Sequence, residues 1–214
     1  MGKLLRNEDK DKKKYENSKV KDLAVHAEKF LYYEEIILGK SYNTVRSYRR
    51  DIYQFIDYLN EYEEITKFDD VETITVRSFI AYLNSGDKSR QSSMESDGEK
   101  KEKPVNPVSK RSINRKISAL RTFFKYLQEK QIVKINKISY ITMPKFEKEL
   151  PNILNKEDLN KLRNVINTGK ITGVRDRLII EMLYSSGMRA SELIDLSEYM
   201  INIPEREIRV IGKG

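Results

Sequence analysis

Residues 109–130 read SKRSINRKISALRTFFKYLQEK, and their spacing decides the architecture. Ile113, Ile117, Leu120, Phe124 and Leu127 recur at intervals of four, three, four and three. A step of about 100° per residue gathers them into one stripe, the pattern of a helix with one buried face. Ser109 stands where a helix cap belongs, so the pattern predicts a helix from Ser109 to about Lys130. Arg111, Arg115 and Thr122 point away from the stripe, flanked by Ser118 and Lys125. That second face carries no acid before Glu129. It is a candidate surface for phosphate contacts, which position a protein on nucleic acid without reading its sequence. For one such helix alone, a solvated face is the simpler reading.

The preceding segments repeat the theme. Leu23, Ala27, Phe30, Leu31, Ile37 and Leu38 predict a helix over 21–38, stopped by Gly39. Ser41 to Thr44 opens a second, with Val45, Tyr48, Ile52, Phe55, Ile56 and Leu59 inward and Arg46, Ser47 and Arg50 off the stripe. A third runs from about Thr75 to Asn84 on Val76, Phe79, Ile80 and Leu83. Residues 20–132 therefore read as a four-helix domain with two basic helix faces. Within it, residues 85–108 (SGDKSRQSSMESDGEKKEKPVNPV) have almost nothing to bury and predict a flexible loop. Residues 1–19, charged in both signs and without periodicity, read as a flexible arm.

Downstream, residues 133–154 include two prolines and show no helical stripe, as a linker would. A second unit, 155–214, opens at the capping sequence Asn155-Lys-Glu-Asp158 with a short helix to Ile166. The next helix, about Val174 to Ser185, is apolar on two sides and is expected to be the buried spine of this unit. Gly187 ends it, and Ala190 to Leu196 can form one or two further turns. YMINI (199–203) and EIRVI (207–211) read as a β-hairpin leading to Gly212-Lys213-Gly214.

Composition narrows the function. Forty-one lysines and arginines against 33 acids give a net charge of +8 over 214 residues, which favours a polyanionic partner. The absence of cysteine excludes disulfides and cysteine-based zinc sites. A single histidine, His26, cannot build a metal cluster or a serine-type triad and reads as structural or solvated. No apolar run is long enough to span a bilayer and no secretory leader is recognisable, so a cytoplasmic protein with no membrane contact is expected.

The chemistry gathers at YSSGMRASEL (184–193), where an apolar helix ends at a glycine, Arg189 follows and Glu192 lies three residues on. Arginine suits a phosphodiester because its planar fork holds two non-bridging oxygens at once. Lys213, at the predicted hairpin, could reach a groove and protonate a leaving oxygen.

This constellation resembles the tyrosine recombinases, most closely bacterial Xer-type recombinases and phage integrases. SYNTVRSYRRDIYQF (41–55) and SINRKISALRTFFKYL (112–127) are similar to two helices of the family's SAM-like core-binding domain. MPKFEKELPNIL (143–154) resembles its linker, RDRLIIEMLYSSGMRASEL (175–193) its first catalytic arginine segment, and IRVIGKG (208–214) its lysine hairpin. The resemblance implies a mainly α fold: a SAM-like domain, then the N-terminal part of an α+β catalytic domain. It implies that Arg189 grips the scissile phosphate, that Glu192 supports that segment, and that Lys213 assists the leaving 5′-hydroxyl. The family's tyrosine attacks a phosphodiester to leave a 3′-phosphotyrosyl link, without metal or other cofactor. Strand exchange passes through a Holliday junction in a tetrameric synapse, so the implied partners are double-stranded DNA and other recombinase protomers.

The sequence also departs from the family. The His-x-x-Arg motif and the tyrosine nucleophile that follow the lysine hairpin are not among these residues, and all 13 tyrosines precede Lys213. Tyr184 and Tyr199, expected in a helix and a strand, do not occupy the nucleophile position. DNA binding without cleavage is the expectation, with a C-terminally incomplete catalytic domain exposing the Leu178–Leu183 helix and a hairpin edge. The alternatives are a DNA-binding remnant or regulator of a partner recombinase, and a helical module for an acidic protein.

Overall fold

The computed structural model describes residues 14–85, 108–143 and 153–212, and the chain divides into two units, 1–148 and 149–214. In the first unit, α1 (Lys21–Tyr32) runs on through a π-helical turn, Tyr33–Ile37, and stops at Gly39, whose φ of +61° favours glycine. Helix α2 (Tyr42–Tyr58) ends in a second π-helical turn, Leu59–Glu63. Then come α3 (Thr73–Ser85) and α4 (Lys110–Glu129). Ser109 caps α4 by accepting the N–H of Ser112 at 3.3 Å. All five stripe residues of α4 are buried, as the spacing requires.

The core of this unit is aromatic. Phe30, Phe55, Phe79, Phe123 and Phe124 are sealed from water. Phe123 sits at the centre, with ring centroids 5.1 Å from both Phe30 and Phe68. Such tilted and edge-to-face pairs add to simple area burial. Arg49, buried on α2, makes a forked ion pair with Glu28 on α1, whose carboxylate also accepts the Tyr53 hydroxyl at 2.6 Å.

Two boundaries differ from expectation. Within the expected flexible arm, 1–19, Tyr15 is buried, stacks on Tyr53 at 5.4 Å and donates to Asp57. An aromatic among charges was enough to anchor it. Within the expected linker, 133–154, Val133, Ile138 and Ile141 are buried in the core of the first unit, and Arg121 donates to the Ile141 carbonyl. These apolar residues pack through a path of bends and a 3₁₀ turn, Lys137–Tyr140, which has no helical period to reveal it. Residues 1–13, 144–152 and most of the expected loop, 86–107, lie outside the described residues. Where that loop rejoins the fold, Val108 is buried and its N–H bonds to the Leu83 carbonyl at 3.1 Å.

In the second unit, Asn155 caps α5 (Lys156–Val165) by accepting the Asp158 N–H at 2.8 Å. Helix α6 (Ile171–Ser186) ends at Gly187, which adopts φ +66° and returns its N–H to the Leu183 carbonyl at 3.1 Å. Helix α7 (Ala190–Ile194) follows at once. The hairpin is shorter than predicted: β1 (Ile201–Asn202) pairs antiparallel with β2 (Glu207–Ile208), Ile201 opposite Ile208. Tyr199, expected in a strand, lies in a 3₁₀ turn, Glu198–Met200.

Helix α6 is not a buried spine. Leu178 is 57% exposed and Ile179 and Tyr184 are also open; among the described residues of this unit Leu159 is the buried large apolar side chain. A helix apolar on two sides needs a layer on each side. Here α6 meets α5 through ions: Glu181 accepts Arg163 at 2.7 and 2.5 Å and Arg177 at 2.7 Å. The expected apolar exposure of the Leu178–Leu183 segment is thus present. Among the described residues no helix is long and apolar enough to cross a membrane.

Candidate nucleic-acid interface and arginine segment

The expected DNA-facing residues fall on α2 and α4, which pack against each other. Arg46, Arg50 and Arg111 are exposed and form no ion pair among the described residues. Ser118 is exposed, Ser47 and Thr122 are half-buried, and the Thr122 hydroxyl donates to the Ser118 carbonyl at 3.1 Å. Lys125 is exposed beside Glu129, 3.9 Å away, a contact that water screens.

Arg115 behaves differently. Its side chain is 38% exposed and pairs through one Nη with Asp51, which is wholly buried. Asp51 also accepts Lys116 Nζ at 3.0 Å, and Lys116 is itself buried. Burial pushes the Lys116 ammonium below its ordinary value; Asp51 opposes that shift, and nearby Arg115 and Arg50 add to it. The face described from sequence as free of acid therefore has one beneath it, supplied by the neighbouring helix.

The burial of Asp51 and Lys116 is not expected from charge alone, because single charged side chains favour solvent. A signal was present. Asp51 lies three residues after Tyr48 and four before Phe55; Lys116 lies three after Ile113 and four before Leu120. Each stands on its helix's apolar stripe, and opposite charges at matched buried positions imply a pair.

In the second unit, Arg189 follows the left-handed Gly187 and forms the N-cap of α7 in extended backbone. Glu192 accepts the Arg189 backbone N–H at 2.8 Å and its Nη1 at 2.7 Å. Glu192 is 12% exposed and Arg189 72%. The Arg189 backbone N–H, then its guanidinium, hold the Glu192 carboxyl below the ordinary range. The pairing holds the segment while most of the Arg189 side chain stays exposed. Lys213 lies outside the described residues. His26 is half-buried against Phe68, and burial lowers its pKa, which suits a structural role.

Known families match both units in order. Residues 28–96 match the N-terminal SAM-like domain of phage integrases, and residues 152–214 match the phage integrase family itself. Both matches fall on phage integrases, and the resemblance to the tyrosine recombinases holds over both units. It is similar to proteins named tyrosine recombinase XerD from Listeria monocytogenes and Staphylococcus aureus, 30% identical to each over 187 residues. A Listeria innocua relative of the same name is 30% identical over 185 residues. These alignments cover 86–87% of this chain and 56% of each relative, so the chain spans about half the length of the relatives it matches.

Proposed function

We propose that the chain binds duplex DNA and serves site-specific recombination by the tyrosine recombinase route. The carrying observation is the basic face of the first unit: Arg46, Arg50 and Arg111 exposed and unpaired among the described residues, with Arg115 held at its edge. Phosphates are the natural counterions of such a face. Arg189 is the residue for the scissile phosphate: its fork is open to solvent while Glu192 steadies its backbone. Lys213 is proposed to protonate the leaving 5′-hydroxyl. The partner is double-stranded DNA, and the family's chemistry brings further protomers into a tetrameric synapse. Cleavage by this route needs a tyrosine in the family's nucleophile position and a His-x-x-Arg motif, which are not among residues 1–214.

Titrating a labelled mixed-sequence duplex with the chain at several salt concentrations tests the reading. Each neutralised phosphate contributes about −0.9 to the log–log slope, so four arginine contacts give about −3.6. Replacing Arg46, Arg50 and Arg111 together by alanine flattens the slope by about 2.7. A slope near zero in the parent chain removes DNA from the face.

A further inference from the structure

The most unusual feature of the first unit is a carboxylate sealed from water that holds two cations of different accessibility. Asp51 is fully buried, Lys116 is nearly so, and Arg115 is 38% exposed. Lys116 is the cation that neutralises the acid inside the protein. Arg115 is then a surplus charge, tethered by one Nη on a side chain that is partly open to water. A guanidinium has five N–H donors, so one can stay on Asp51 while others meet an outside anion. A lysine has neither the length of fork nor the planar geometry for this.

We propose that Asp51, neutralised from within by Lys116, is a positioning residue that aims Arg115 at a DNA phosphate. This rests on the assignment of α2 and α4 to the DNA interface. A free arginine on a helix face loses rotamer freedom when it grips a phosphate. Arg115 has already lost much of it to a fixed point in the core, and pre-organisation of this kind lowers the cost of binding. The surrounding charges agree: Arg50 and Arg111 flank the site, so an arriving phosphate meets a cationic rim around one aimed fork. Burial depresses the Lys116 pKa first, and Arg115 and Arg50 add to that shift.

The test uses the full chain and a labelled mixed-sequence DNA duplex. The double variant D51N/K116M removes one negative and one positive charge, leaving net charge and long-range field unchanged, and keeps the side chains similar in size. If Asp51 aims Arg115, this variant binds about tenfold more weakly, as expected for losing one charge-assisted contact. Its salt slope becomes shallower by about 0.9. Adding Arg115→Ala to it then changes nothing further, because the two lesions remove the same contact. A double variant that binds like the parent, or that loses the full Arg115→Ala effect on top, overturns the proposal.

Arg115→Lys gives an answer that does not depend on the core tolerating substitution. Aiming requires it to lose nearly as much as Arg115→Ala; full retention of affinity by lysine means that Arg115 is only a charge, and the proposal falls. The triple alanine variant of Arg46, Arg50 and Arg111 separates the two levels. If it weakens binding while D51N/K116M does not, the interface stands and only the positioning role is lost. If neither affects binding, the interface assignment itself is wrong.

Discussion

Phe30, Phe55, Phe79, Phe123 and Phe124 are closed off in the first unit, whereas Leu178, Ile171 and Ile194 of the second stand open to water. Both units have well-formed, properly ended helices. They differ in layers. In the first, α1, α2, α3 and α4 enclose one another, and even the irregular residues 133–143 seal a flank with Val133, Ile138 and Ile141. In the second, α5 and α6 are joined by ion pairs around Glu181, and the apolar face of α6 has no such enclosure among the described residues. Helix formation and core formation are thus separable: periodicity and caps make the helix, but only a facing layer makes it a core element.

The sharpest way to break this comparison is in the aromatic centre. Phe123→Ala removes a fully buried ring that touches Phe30, Phe68 and Phe124, and is expected to cost about 3–5 kcal/mol. Denaturant unfolding of the first unit reads this directly. A loss below about 1 kcal/mol would mean that this core is loose, and the contrast would disappear.

Next in size is Gly173, the buried residue of α6. A Cβ placed there would run into the backbone carbonyl of Asn167, which no side-chain rotation can relieve. Gly173→Ala is expected to cost about 1–3 kcal/mol, the usual range for overpacking. Hydrogen exchange in α5 and α6 should rise while α1 and α4 keep their protection. Equal loosening of both units would show that they do not respond independently.

Much of this arrangement is readable in the sequence, and the misses share a cause. The stripe of α4, the caps at Ser109 and Asn155 and the stop at Gly187 each follow from a local pattern. Tyr15, Ile138 and Ile141 were missed because their burial depends on partners distant in sequence, reached through segments with no period. Asp51 and Lys116 were missed because each residue alone looks solvated, and only their pairing across two helices explains their burial. The exposed α6 erred in the other direction: an apolar helix shows that burial would be favourable, not that a covering layer is at hand. Arg189 and Glu192 were legible because their relation is local, three residues apart on one turn.

Acid offers a smaller perturbation confined to the second unit. Arg163 and Arg177 hold the Glu181 carboxyl down from its ordinary 4.5 to about 2. Its folded value lies below its unfolded one, so the stabilisation is fully present above about 4.5 and is lost as pH falls toward 2. Exchange protection linking α5 to α6 should decline through that window, and Glu181→Gln should show the reduced protection already at neutral pH and little further change on acidification. A parent chain whose α5–α6 protection is flat from pH 5 to pH 2 would mean that the ion network contributes nothing to holding these helices together.

The smallest stability effect belongs to the most informative surface position. Leu178 is 57% exposed, so Leu178→Gln removes little burial and should change stability by no more than about 0.5 kcal/mol. Its effect should fall on association instead. Ile171, Val174 and Leu178 share one side of α6, and exposed apolar surface of this kind drives self-association as concentration rises. Light scattering across a concentration series should show the variant remaining monodisperse where the parent begins to aggregate. The two readouts together decide the comparison. If Leu178→Gln instead destabilises the second unit by about 2 kcal/mol or more, Leu178 is buried in solution and α6 has the facing layer that distinguishes a core helix. If stability holds and association falls, burial capacity and burial itself are separate properties of this sequence.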